Sequence, residues 1–357
     1  MKHRSALLGS AAALVAALGA AAPAVSAPVA VVLPAHVALA PVAASADRPD
    51  TLAAARLARA EPLDTWLRET LPAGDVDWFH VRGTSSSKVV SVTLGGLPAD
   101  YDLAVFGADG RQRATSTRTG RTFDEVWVRE PGDELFVRVV RKRGAAAGSY
   151  SLRLRQITRD VQLLSAFKSF KYRGAVFGEF YNATGQWGAV SELDVEWLDR
   201  KGRVLRRYET YMSPQAWVRP WSRFPFATAD QITAAQDDRS VRVRAEVKVN
   251  FQTADPKEPA LKAHLTKVHT WPPDAGNTGG RTYEGTVTNP SGHRVNDVGI
   301  YVCDYDAYGT LKIFNTTWEG YSVPARSTRP WDDSSSYGVG DWSKQSLTTL
   351  RAYQQVH

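Results

Sequence analysis

The chain has one cysteine, Cys303, in 357 residues. No intramolecular disulfide can form, so the fold rests on packing alone. Cys303 lies inside an apolar alternating run and reads as a small buried hydrophobe. Beyond the first residues no apolar stretch of about 20 residues exists to span a bilayer as a helix. Catalytic signatures are missing as well. There is no Gly-x-Ser-x-Gly elbow and no His-Glu-x-x-His. The seven histidines (His3, His36, His80, His264, His269, His293, His357) show no zinc-ligand spacing. Positive charge is also thinner than it looks. Of the net +7, Lys2 and Arg4 belong to the N-terminal leader, which leaves +5 spread over the remainder. That excess is too dilute for a nucleic-acid partner. The densest basic run, Arg141-Lys142-Arg143, reads as a solvated turn, the alternative being a contact to an anionic wall polymer.

What is present begins with export. Lys2-His3-Arg4, then an apolar run from Ala6 to Ala22, then small residues, have the three parts of a secretory signal. Val25-Ser26-Ala27 and Ala44-Ser45-Ala46 are two candidate cleavage points. Residues 1–46 are therefore expected to be a signal peptide and Ala/Pro-rich leader, and the mature protein to be secreted. Ala53 to Leu71 has loose helical spacing, interrupted at Pro62, which predicts a helical lead-in over 47–74.

From Asp75 onward short alternating runs are split by Gly, Asp and Pro turns, as in Gly95-Gly96, Asp109-Gly110 and Pro131-Gly132-Asp133. Such spacing predicts a β-sandwich over 75–156. Four blocks occur in order: Asp75-Val76-Asp77-Trp78-Phe79, Asp100-Tyr101-Asp102-Leu103-Ala104-Val105-Phe106 with Asp109-Gly110, Gly132-Asp133-Glu134-Leu135-Phe136-Val137, and Gly148-Ser149-Tyr150-Ser151-Leu152. Over residues 61–156 this order resembles the bacterial pre-peptidase C-terminal domain. The resemblance implies a jelly-roll-like sandwich carried by exported proteins, implicated in polymer or substrate binding and in export, with calcium in some members. No peptidase accompanies it here.

The remaining chain repeats itself. Asn182-Ala183-Thr184-Gly185 parallels Asn289-Pro290-Ser291-Gly292, and Asp199 with Gly202 parallels Asp306 with Gly309, both at an offset of 107. Pro220-Trp221 and Pro330-Trp331 align at an offset of 110. Two immunoglobulin-like sandwiches are expected, over 157–271 and 272–357, with Pro272 to Gly280 as the linker between them. Their pattern is weakly similar to FxLYD-type envelope domains. The expected fold is all-β: three sandwiches, one jelly-roll-like and two immunoglobulin-like, after the leader and a short helix.

Three kinds of site are worth carrying forward. Asp75, Asp77, Asp100 and Asp102 could gather the oxygens calcium needs, the alternative being turn caps and pairing with nearby arginines. Trp217, Trp221, Trp331 and Trp342 could stack on sugar faces, although repetition at Pro-Trp equally suits rings that plug each sandwich. Glu192, Asp194 and Glu196 share one strand face, which suits a solvent-facing edge better than a catalytic pair. The sequence thus points to a secreted, non-enzymatic binding protein of the bacterial envelope or extracellular space, engaging a polysaccharide, a cell-wall polymer or a protein. A secreted hydrolase with an unrecognised site and a structural or secretion-assisting protein are the alternatives.

Overall fold

A computed structural model describes residues 47–85, 87–142, 145–168, 175–210, 217–228, 242–252, 261–271, 280–333 and 345–354. The leader, Trp342 and the basic Arg143 lie outside them. The chain is all-β, with one four-residue helix among the described residues, α1 (Leu52–Ala55), capped by the Thr51 hydroxyl.

The first sandwich holds β1 (Thr65–Leu71), β2 (Val76–Arg82), β3 (Lys88–Gly95), β4 (Tyr101–Gly107), β5 (Gln112–Ser116), β6 (Asp124–Val128), β7 (Glu134–Arg141) and β8 (Gly148–Thr158). One sheet runs β1-β8-β3-β6 and the other β2-β7-β4-β5. Two four-stranded antiparallel sheets in this order form a jelly roll. Phe79, Val81, Leu103, Val105, Val137 and Leu152 fill the space between the sheets.

The helical lead-in needs correction. Only α1 is helical, and Thr65–Leu71 is a strand paired to β8 from Thr65↔Leu154 to Leu71↔Gly148. Leu67, Glu69 and Leu71 are its buried positions, a period of two hidden among residues with helical propensity. The sandwich therefore begins ahead of Asp75, and residues 47–61 wrap against it. Trp78 and Phe136 receive Leu52 and Ala55 on the outer side of the second sheet.

Each repeat pairs two small sheets. The first has β9 (Val161–Lys168), β10 (Val176–Asn182) and β14 (Ser222–Thr228) facing β11 (Trp187–Leu198), β12 (Val204–Thr210), the two-residue β13 (Trp217–Val218) and β15 (Arg242–Gln252). In the second, β16 (Lys262–Trp271), β17 (Gly280–Asn289) and β20 (Ser327–Asp333) face β18 (Val295–Asp306), β19 (Leu311–Val323) and β21 (Gln345–Gln354). The β16 strand pairs with β17 as far as Trp271↔Gly280, so it opens the second repeat. The expected boundary at 271/272 moves to between β15 and β16. Residues 272–279 of the expected linker lie outside the described residues, and the strands that flank them, β16 and β17, are paired in one sheet.

The repetition extends to individual hydrogen bonds. The Asn182 amide donates to the Gln186 and Arg219 carbonyls, and its oxygen accepts from the Thr184 backbone and hydroxyl. The Asn289 amide donates to His293, Val323 and Pro324, and its oxygen accepts from the Ser291 backbone and hydroxyl. Asp199 accepts from the backbone of Lys201 and Arg203, as Asp306 does from Tyr308 and Thr310. Gly202 and Gly309 complete these turns at φ 78° and 73°. The Pro-Trp alignment fails, however. Gly178 pairs with Phe226, and Gly285 pairs with Trp331. A Cβ on either glycine would strike that ring and a neighbouring carbonyl. Trp331 is thus the counterpart of Phe226. Trp221 corresponds to Arg326, and both carry positive φ, 54° and 51°.

Candidate functional site

The acidic site lies at one end of the jelly roll. Along β2, Asp77 shares the inward face with Phe79 and Val81. It is 1% exposed. The Tyr150 hydroxyl, from β8 of the opposite sheet, donates to Asp77 Oδ2. Asp77 Oδ1 and Asp75 Oδ2 are buried with no hydrogen-bond partner. Asp75 Oδ1 accepts from the Val76 backbone at 2.8 Å. The N-terminal segment then brings in Asp47. Among the described residues, Asp47, Asp75 and Asp77 form a group whose ligand atoms all lie within 4.8 Å of one another.

Charge at this mouth is one-sided. Arg48 spans Glu61 and Glu69 and is neutralised by them. Asp47, Asp50, Asp75 and Asp77 are left with no further cation paired to them by salt bridge among the described residues. Burial pushes Asp77 up to about 6, against the Tyr150 hydroxyl bond that favours its ionised form, and Asp75 adds repulsion. Burial and the neighbouring Asp50 carboxyl raise Asp75 as well. Clustered hard oxygens with unmet demand for positive charge are what a calcium ion takes.

The expected fourfold set is split. Asp102 lies opposite Val140 while Asp77 lies opposite Val139, so the two point to opposite faces of one sheet. Lys142 holds Asp102 at 3.0 Å, and its backbone nitrogen donates to the Asp100 carbonyl. Asp100 Oδ1 and Asp102 Oδ1 are also buried without a hydrogen-bond partner, but the group that converges among the described residues is Asp47, Asp75 and Asp77. Sequence spacing did not offer Asp47, because it is brought to β2 by a wrapped segment. Its only signal was an acidic residue at the start of the predicted mature chain.

The tryptophans separate into three environments. Trp331 is 3% exposed in the core of the second repeat, which removes it as a binding ring. Trp221 packs at the seam between the jelly roll and the first repeat, with the Arg129 and Arg159 guanidiniums 4.8 Å and 6.0 Å from its ring centre. It is a docking wedge. Trp217 lies opposite Ala189, on the face away from the core-facing Val218 and Val190. Trp187, which the sequence reading passed over, falls on the same outer face of β11, with Arg219 5.9 Å from its ring. Glu192, Asp194 and Glu196 form a charge ladder with Lys248, Arg207 and Arg244, which supports a structural role.

The three sandwiches meet on the outer face of the β1-β8-β3-β6 sheet. Arg223 of β14 binds Glu125 of β6 through Nε at 3.0 Å and through Nη2, and Glu179 of β10 through Nη1 at 2.5 Å. Tyr305 of β18 donates to the other Glu179 oxygen at 2.5 Å. Trp127 stacks on Tyr181 at 3.7 Å, and Tyr308 meets Trp66 edge-on at 5.6 Å. Phe123, Phe177, Tyr305 and Leu311 seal the centre.

No family model and no curated protein matches the chain. Solved structures similar to it include a glycosyl hydrolase family 2 member from Bacteroides cellulosilyticus (13% identity, 60% of this chain, 26% of that one, TM-score 0.30). Others are a β-glucuronidase from Bacteroides uniformis (10%, 70% and 26%, 0.27) and a putative β-galactosidase from Bacteroides fragilis (11%, 70% and 37%, 0.25). The chain spans about a quarter of the length of the first two. No helix among the described residues is long and apolar enough to cross a membrane.

Proposed function

We propose that the chain is an exported, non-enzymatic binding protein whose jelly roll takes a calcium ion at its mouth. With that ion held, it engages an extracellular polysaccharide, a cell-wall polymer or a protein. The observation that carries this reading is the convergence of Asp47, Asp75 and Asp77, with buried unpartnered oxygens on the last two. Asp50, beside Asp75, would add a fourth carboxylate. Extracellular modules bind calcium at about 10⁻⁴–10⁻³ M, weakly enough for a partly exposed site such as this. The secretory-type start of the chain supports export. The half-buried Trp217 and Trp187 on the outer face of β11 are the rings best placed to meet a sugar.

The test is retention of the purified protein on insoluble peptidoglycan, chitin and cellulose, with calcium or with a chelator. Calcium-dependent retention, lost in Asp77→Asn, is expected. Retention that ignores calcium but is lost in Trp217→Ala would move the binding face to β11 and overturn the role given to the mouth. No retention on any polymer would leave a protein as the partner and overturn the polymer reading.

A further inference from the structure

The junction forms a partly open cleft of about 40 Å³ to which all three sandwiches contribute. At about 10–15 Å³ per water, it has room for a group of several heavy atoms. Its walls carry three guanidiniums, Arg153, Arg155 and Arg223, and two carboxylates, Glu125 and Glu179. The carboxylates are already satisfied. Glu125 accepts from Arg223, Thr93 and the Trp127 indole, and Glu179 from Arg223 and Tyr305. Arg223 offsets one of these two negative charges, and its remaining bond goes to the Gly309 carbonyl.

Arg153 and Arg155 have no such partner. Neither makes a salt bridge among the described residues. Arg155 donates to the Leu163 carbonyl at 3.0 Å. Arg153 lies 5.6 Å from the centre of the Trp66 ring, and its Nε is buried without an acceptor. Ser165 Oγ, which also lines the cleft, is buried and unpartnered. Asp64, the remaining acid acting on these arginines, is exposed to solvent. Burial lowers both guanidiniums, Arg155 to about 10, and each repels the other charges of its own sign. Three guanidiniums against two carboxylates leave one excess positive charge in the cleft, and a half-dry setting makes that charge costly unless an anion joins it.

We propose that this cleft is a binding site for a small oxyanion of the sulfate or phosphate type. Arg153 and Arg155 would supply its charge partners, and Ser165 a hydroxyl donor. A guanidinium fork matches tetrahedral oxygens with paired N–H donors, which a halide cannot use in the same way. Because the three sandwiches share the walls, the bound anion would strengthen their docking. This site is independent of the acidic mouth.

The experiment is thermal melting of the purified protein, titrated with sodium sulfate or phosphate at constant ionic strength set with chloride. A saturable rise of about 2–4 °C is expected. Arg153→Gln and Arg155→Gln should each abolish it, and Arg155→Lys should weaken the apparent affinity several-fold. Calorimetric titration of the unaltered protein with sulfate, expected to show one site per chain, needs no variant to fold. A featureless calorimetric titration would overturn the site. An equal melting rise in the Gln variants would overturn the assigned residues. An equal rise with chloride alone would overturn the oxyanion class.

Discussion

At the junction, Glu125 and Glu179 have a donor for each carboxylate oxygen, and one arginine bridges the two. At the mouth of the jelly roll, Asp77 is buried and Asp75 half-buried, each with one buried oxygen unpartnered, while the nearest arginine serves other acids. Each region has one fully buried carboxylate, Glu179 or Asp77, beside a half-buried one, Glu125 or Asp75. A saturated carboxylate network is architecture: it holds three sandwiches in one arrangement. An unsaturated one stores unfavourable free energy that protonation or a bound cation relieves. Arg153 and Arg155 are the same situation with the sign reversed. Function in this molecule is therefore sought where buried charge lacks its counterpart.

Removing the counterpart at the junction is the sharpest way to break this contrast. Arg223→Met leaves Glu125 and Glu179 unpaired, and should cost about 3–5 kcal/mol in chemical denaturation. Its equivalent in the second repeat is Thr328, which is exposed and bonds only Thr288. Thr328→Val should stay within about 0.5 kcal/mol. Comparable losses from both would show that the junction arginine carries no special weight.

The mouth should respond in the opposite direction. Asp77 ionises near pH 6 when folded and near the ordinary carboxylate value when unfolded. A raised folded value means the stability contribution is full below about pH 4 and is lost as pH rises through 6. In chelator, stability should fall over that window by about 2 kcal/mol, screening at the mouth reducing the full linkage value. Asp77→Asn should flatten the profile and be the more stable protein at pH 7. A wild-type profile rising over the same window would show that Asp77 is satisfied after all.

Trp221 tests docking without a carboxylate. Trp221→Ala should cost about 2–3 kcal/mol, since it opens the seam between jelly roll and first repeat. Arg326→Ala, at the matching position of the second repeat, should be near neutral. Equal effects would mean that the wedge belongs to the repeat and not to the seam.

Much of the architecture was legible because period-two burial and turn residues are local signals. The jelly-roll strands from Val76 to Thr158 and the repeated Asn and Asp turns follow from them. Thr65–Leu71 was misread because Leu63, Trp66 and Leu67 also fit helical spacing, and only pairing with β8 decides between the two. The Pro-Trp repeat misled for a different reason. A dipeptide can recur at an offset that breaks register, and Gly178–Phe226 with Gly285–Trp331 is the pairing that packing enforces. Two Asp-x-Asp segments, Asp75–Asp77 and Asp100–Asp102, looked alike. Strand faces separate them, and a wrapped segment supplies Asp47. The junction was invisible because its parts, Glu125, Arg223 and Tyr305, are ordinary sheet residues until three sandwiches meet.

The most direct test of the contrast between satisfied and unsatisfied buried charge is a calcium titration of melting temperature at pH 7 and pH 5, on the protein and on Asp77→Asn. The account predicts a saturable rise at pH 7, a smaller one at pH 5 where protons compete for Asp77, and none in the variant. No calcium response at pH 7, or an equal response in Asp77→Asn, would contradict it.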